Sequence, residues 1–262
     1  MTEPEAPSED LAEGTLVSHL LELRDRLLKA MMAVGICFIP TATYMNQLFT
    51  FVAKPLIRRL PPGSTLIATS VVAPFMVPFK LAMVAALALA MPYVLYQAWA
   101  FVAPGLYRHE KKLAVPLLVS SVLLFYLGAA FAYYFVFPVM LSFFVATTPK
   151  GVMMMTDMGS YLDFVMVLLL AFGAAFEVPI ATVLLVWAGL VKITSLTKNR
   201  GFVLLGAFIV AAFLTPPDAV SQSFMAVPMY VLYEIGIVMA RILLKDKLAA
   251  RAKEEGGPGA QV

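Results

Sequence analysis

The chain has 262 residues, 61% hydrophobic and 13% charged, with a mean hydropathy of +0.88. Soluble domains carry about a quarter charged residues, so this is a polytopic membrane protein whose spans of about 20 residues each leave no length for a separate soluble domain. The net charge of +3 comes from Lys and Arg scattered at the flanks of apolar segments, which fits orientation in a bilayer and argues against a nucleic-acid partner. The one cysteine, Cys37, excludes a disulfide framework or a cysteine metal site within one chain.

Residues 1–17 hold five acids (Glu3, Glu5, Glu9, Asp10, Glu13) and no Lys or Arg, whereas a secretory signal peptide begins with a basic region. They predict a retained, disordered acidic tail. The Gly- and charge-rich residues 248–262 predict a second one, leaving 18–247 as the membrane domain.

The stretch SHLLELRDRLLKA, residues 18–30, precedes the first long apolar run. On a helical wheel Ser18, His19, Glu22, Asp25, Arg26 and Lys29 share one arc and Leu16, Leu20, Leu21, Leu23, Leu27 and Leu28 the other, with Arg24 among the leucines. Arginines here fit orientation in the bilayer, to which acids contribute little. Glu22 stands four residues before Arg26, the favourable order for a helical surface pair of about 0.2–0.5 kcal/mol. It is therefore either a paired surface charge or a site.

Apolar runs at about 27–49, 75–101, 114–137, 161–188, 202–215 and 221–244 predict an all-α protein with six transmembrane helices. Alternating the sides places 14 Lys and Arg with both termini. The other side has five: Lys54, Arg58, Arg59, Lys80 and Lys150. Both termini are thereby expected in the cytoplasm.

The external connections 50–74 and 138–160 are long, fairly apolar and rich in proline, and are expected to form caps on the membrane surface. The fifth run is short, about 21 Å against a hydrocarbon core of about 30 Å. Pro92, Pro179 and Pro228 fall inside predicted spans and predict kinks. No internal repeat stands out, which argues against transporters built from related halves.

No phosphate loop, HExxH pair or GxSxG elbow occurs, and the chain has only His19 and His109. Neither enzymatic activity, a catalytic residue, a metal nor a cofactor is expected. Glu177 falls near the middle of the fourth run, where a carboxylate costs roughly 2.5–3.5 kcal/mol. It is either a polar contact in a groove or a group bonded to a backbone carbonyl, such as one freed by Pro179. Thr215, Gln222 and Glu234 form a second polar set, open to helix packing or to partner-helix binding. On the cytoplasmic side, FVAPGLYRHEKK carries Glu110 as its one acid, so Glu22 and Glu110 are two isolated carboxylates on one face.

At HLLELRDRL and FVAPGLYRHEKK, and through SYLDFVMVLLLAFGAAFEVP and LTPPD, the chain resembles the TatC family, the multispanning core of the twin-arginine protein translocase. The resemblance covers roughly residues 18–247. It implies short fifth and sixth helices, a place in the bacterial inner membrane, and a receptor for twin-arginine signal peptides of folded cargo. It also implies use of the proton motive force, a homo-oligomeric complex, and the single-helix partners TatB and TatA.

By motif, the resemblance assigns signal-peptide binding to Glu22 and Glu110, with Arg24, Arg26 and Phe101 shaping the site. Pro55, Phe75, Glu177 and Asp218 become positions for translocation or structure, and Leu106, Thr215 and Gln222 contacts for partner helices. Paired arginines offer forked donors that carboxylates accept and lysine matches poorly. The competing reading is a proton-coupled transporter of small solutes or ions using Glu177.

Overall fold

The computed structural model describes residues 9–60, 63–102, 111–149, 151–215 and 218–245, with side chains from 17 and from 115 onward in the two helices that begin at 9 and 111. The helices are α1 (Glu9–Thr43), α2 (Met45–Ile57), α3 (Ala73–Val102), α4 (Lys111–Phe131), α5 (Phe137–Thr147), α6 (Met158–Ala175), α7 (Val178–Trp187), α8 (Ile193–Lys198), α9 (Arg200–Leu214) and α10 (Ala219–Leu243). Two short strands, β1 (Leu66–Ile67) and β2 (Thr156–Asp157), pair in parallel with Leu66 opposite Thr156.

Among the described residues, five helical segments are long and apolar enough to cross a membrane: Val17–Thr43, Ala73–Val102, Val115–Thr147, Met158–Trp187 and Ala219–Leu243. The chain is thus a multi-pass membrane protein. The sixth run expected from sequence is α9, an apolar helix of 15 residues, about 22 Å long.

Three expectations need correction. The sixth helix is not short, because α10 runs unbroken through Pro228 for 25 residues, about 37 Å. The first run does not extend to residue 49 as one helix: the chain turns at Tyr44 and a separate helix, α2, begins at Met45.

The third run, expected to end at 137, continues to Thr147 through a π-helical segment, Ala132–Val136. Pro138 cannot donate a backbone hydrogen bond, and the turn before it widens so that the Phe137 N–H reaches Ala132 O. The connection expected over 138–160 shrinks accordingly. Pro92 and Pro228 lie within continuous helices, whereas Pro179 stands just beyond the break at Phe176–Glu177 that separates α6 from α7.

The chain divides into two units, Met1–Met45 with Ala82–Leu118, and Asn46–Leu81 with Val119–Val262. In the first, α1 runs antiparallel to the second half of α3. Contacts step backward along α3 as they step forward along α1: His19 with Phe101, Arg26 with Gln97, and the Thr41 hydroxyl with Ala82 O at 2.9 Å. Leu20, Leu21, Leu23, Leu27, Leu28, Met31 and Met32 are exposed, as suits a helix whose surroundings are lipid.

The second unit is packed around Phe137, Leu162, Phe172, Ile180, Leu184, Met225 and Ile237, all fully buried. Its helices approach at glycines. A Cβ on Gly128 of α4 would meet Phe172 O at 2.5 Å, and one on Gly173 of α6 would meet the Phe125 ring at 2.6 Å. Gly236 of α10 likewise admits Pro179 and Thr182 of α7, at 3.0 Å from a built Cβ. Lipid supplies little hydrophobic drive between spans, so such close approach matters to cohesion.

Candidate functional site

Residues 19, 22 and 26 recur at helical spacing and turn one face of α1 toward α3. Arg26 donates from Nε (2.9 Å) and Nη2 (2.6 Å) to Oε1 of Glu22, and from Nη1 (3.3 Å) to Oε1 of Gln97. Gln97 is buried and Arg26 and Glu22 are partly exposed. One turn away, the His19 ring stacks on Phe101 with centroids 4.3 Å apart and planes at 18°. Glu22, Arg26 and Phe101 thus line one helix contact, a guanidinium held by three acceptor bonds with an aromatic pair beside it.

Arg24 does not join this group. It pairs with Asp25 at 2.9 Å, both side chains more than half exposed, an arrangement worth little energetically. Glu110 and Leu106 lie outside the described residues. His19 and Gln97 were not singled out from sequence. The polar arc of α1 hinted at His19, but Gln97 is one amide in an apolar run and carried no separate signal.

In the second unit, Glu177 sits at the α6–α7 break. Ser121 of α4, fully buried, donates its hydroxyl to Glu177 Oε2. The other oxygen, Oε1, is buried with no hydrogen-bond partner among the described residues. Thr215 ends α9, and Asp218 and Gln222 begin α10. Asp218 caps α10 by accepting the Ser221 N–H at 2.7 Å, the Gln222 N–H donates to Asp218 O at 3.1 Å, and the buried Thr215 hydroxyl bonds Ala211 O at 2.8 Å. Glu234 is separate from them: it accepts from Arg200 at 2.7 Å and Tyr230 at 2.9 Å, so it joins α9 to α10.

Pro55 belongs to α2, and Phe75, at the start of α3, is exposed and stacked on Phe79. Asp157 was not foreseen. Outside the spans, it caps α6 and joins it to the β1 region, accepting the Ser160 N–H (2.8 Å) and the Thr69 hydroxyl (2.8 Å). These bonds, the Ser160 N–H first, hold its carboxyl down at about 2. Among the described residues no group of three or more His, Cys, Asp or Glu is placed to hold a metal ion.

The family model of the Sec-independent protein translocase protein (TatC) matches residues 18–228. The chain is 53% identical over 236 residues to the Sec-independent protein translocase protein TatC of Azotobacter chroococcum, covering 90% of this chain and 92% of that one. It is 52% identical over 226 residues to the Escherichia coli K12 protein of the same name, covering 86% and 88%. A crystal structure of the twin arginine translocase receptor TatC in DDM superposes with a TM-score of 0.78 at 35% identity, over 85% of this chain and 99% of that one. With family match, relatives and fold in agreement, the chain belongs to the TatC family of Sec-independent protein translocase proteins.

Proposed function

We propose that the chain is the signal-peptide receptor and core subunit of a twin-arginine translocase in the bacterial inner membrane. Helix α9 serves as a short sixth span, and both termini lie in the cytoplasm. The observation that carries this reading is the hold on Arg26. The Glu22 carboxylate already grips a guanidinium by two N–H groups, and Gln97 gives that guanidinium a second holder. An arriving arginine can take the carboxylate while Arg26 stays on Gln97. Glu110 receives the second arginine, and Phe101 borders the site.

Substrates are folded cargo proteins with twin-arginine signals, moved at the expense of the proton motive force. Thr215, Gln222 and Leu106 meet single-helix TatB-like and TatA-like subunits, within a complex holding several copies of this chain. Pro55, Phe75, Glu177 and Asp218 support translocation through the shape of the helices that carry them. The test is site-specific crosslinking of a twin-arginine signal to membranes containing Glu22→Ala, Glu110→Ala or both. Loss of crosslinking with unchanged membrane insertion supports the site; undiminished crosslinking in the double variant rejects it.

One observation favours a second reading. The unpartnered Oε1 of Glu177 suits a proton-coupled transporter of small solutes or ions. That reading requires solute uptake by the purified chain alone, abolished by Glu177→Gln, and is rejected if no uptake occurs while protein export is intact.

A further inference from the structure

Three of the five cations on the sparsely charged side, Lys54, Arg58 and Arg59, stand within six residues of one another. The proposed receptor site uses none of them. Positions 51, 54 and 58 recur at helical spacing, so Phe51, Lys54 and Arg58 share one face along and just beyond α2. Arg59, past the helix end, brings Nη1 to 3.5 Å from Pro55 O.

Across from them stand Tyr133 and Tyr134 of the π segment. The Tyr133 ring lies over Phe51, with centroids 5.1 Å apart and planes at 11°, and its hydroxyl donates to Phe51 O at 2.8 Å. Tyr134 stands at 90° to Tyr133 and is mostly exposed. Together these side chains line a cavity of about 350 Å³ with no acid among the described residues of its wall.

Three exposed cations without a carboxylate among the described residues of the wall select an anion, and two arginines favour one that accepts paired N–H groups on two oxygens of the same centre, such as a phosphate. Depth identifies the source. Tyr133 lies 18 residues beyond Val115 along one continuous helical segment, about 27 Å, close to the thickness of the hydrocarbon core. Tyrosines at that level belong to the aromatic belt at the headgroups.

We propose that this pocket binds the phosphate headgroup of an anionic phospholipid in the outer leaflet, with Arg58 and Arg59 on the phosphate, Lys54 supplying a further charge and Tyr134 packing beside the glycerol. The site also accounts for cations where orientation in the bilayer disfavours them.

The test is native mass spectrometry of the purified chain in non-ionic detergent with phosphatidylglycerol, phosphatidylcholine or sn-glycerol 3-phosphate. Phosphatidylglycerol is expected to be retained at lower concentration than phosphatidylcholine. Its apparent affinity should fall roughly fivefold for each of Lys54→Gln, Arg58→Gln and Arg59→Gln. Lys198→Gln, which removes an exposed cation elsewhere, should leave it unchanged. Circular dichroism and melting of each variant confirm that the fold is kept. Equal retention of the two lipids, or wild-type retention by the folded triple variant, overturns the proposal. Displacement of phosphatidylglycerol by equimolar sn-glycerol 3-phosphate also overturns it, by making a soluble phosphate the ligand.

Discussion

Arg26 and Glu22, one turn apart on α1, share two hydrogen bonds on a single carboxylate oxygen, while Gln97 of α3 accepts a third from the same guanidinium. The pair expected from helical spacing alone is therefore tied into the contact between two helices, and it is as much a positioning device as a surface ion pair. Glu22→Gln should change unfolding free energy by no more than about 0.5 kcal/mol, because the pair is partly exposed. Twin-arginine affinity should nevertheless fall steeply. Arg26→Gln should weaken binding less, since it disturbs the carboxylate's orientation but leaves its charge. Thermal unfolding in detergent and signal-peptide titration on the same preparations separate these effects.

Ser121→Ala should destabilise the second unit by about 1–3 kcal/mol, the cost of leaving a buried acceptor without its donor. Glu177→Gln retains an oxygen that accepts from Ser121 and should change stability by less than about 1 kcal/mol. Melting of both variants checks the contrast. A Glu177→Gln effect larger than that of Ser121→Ala would show that charge, and not the hydrogen bond, governs this position.

The glycines differ in what surrounds them. Gly128→Ala drives a Cβ against the Phe172 carbonyl and Gly173→Ala drives one against the Phe125 ring, so each should cost about 1–3 kcal/mol. Gly128→Ala should be the worse, because backbone yields less than a ring. Gly35→Ala meets nothing within 4 Å and should be neutral or stabilising by up to about 1 kcal/mol, as for an open helical site. Unfolding in detergent of all three, at equal expression, tests the ranking.

Asp157 sets a pH dependence. Its carboxyl is held at about 2 in the folded chain and titrates near 3.9 in an unfolded one. A depressed value means that its contribution is complete above about pH 4 and is lost as the pH falls from about 4 to about 2. Asp157→Asn should melt lower than wild type at pH 6, with the gap closing across that acid window. Amide exchange at Ser160, whose N–H the carboxylate accepts, should quicken in the variant.

The helical wheel of residues 18–30 set the leucine arc apart from the arc that holds His19 and Arg26, but which of the two meets protein depends on the solvent. In water the leucines would be buried. Here they are exposed and His19 and Arg26 meet α3, because lipid accepts leucine and the polar groups need protein partners. Local signals were legible: the short apolar run at 202–215 is α9, and Pro179 marks the break beside Glu177. Long-range partners were not. Gln97 is 71 residues from Arg26 and Ser121 is 56 from Glu177, and nothing in either local pattern distinguishes them from polar residues elsewhere. Pro138 misled as a helix end because a single π turn can absorb the missing donor.

The central claim is that Glu22, with Glu110, receives arginine pairs, and its most direct measurement is capture of a signal peptide by the purified, detergent-solubilised chain. A peptide carrying RR should be retained, its KK counterpart should not, and the Glu22→Ala, Glu110→Ala double variant should lose the RR peptide. Equal capture of RR and KK, or RR capture undiminished in the double variant, would contradict the account.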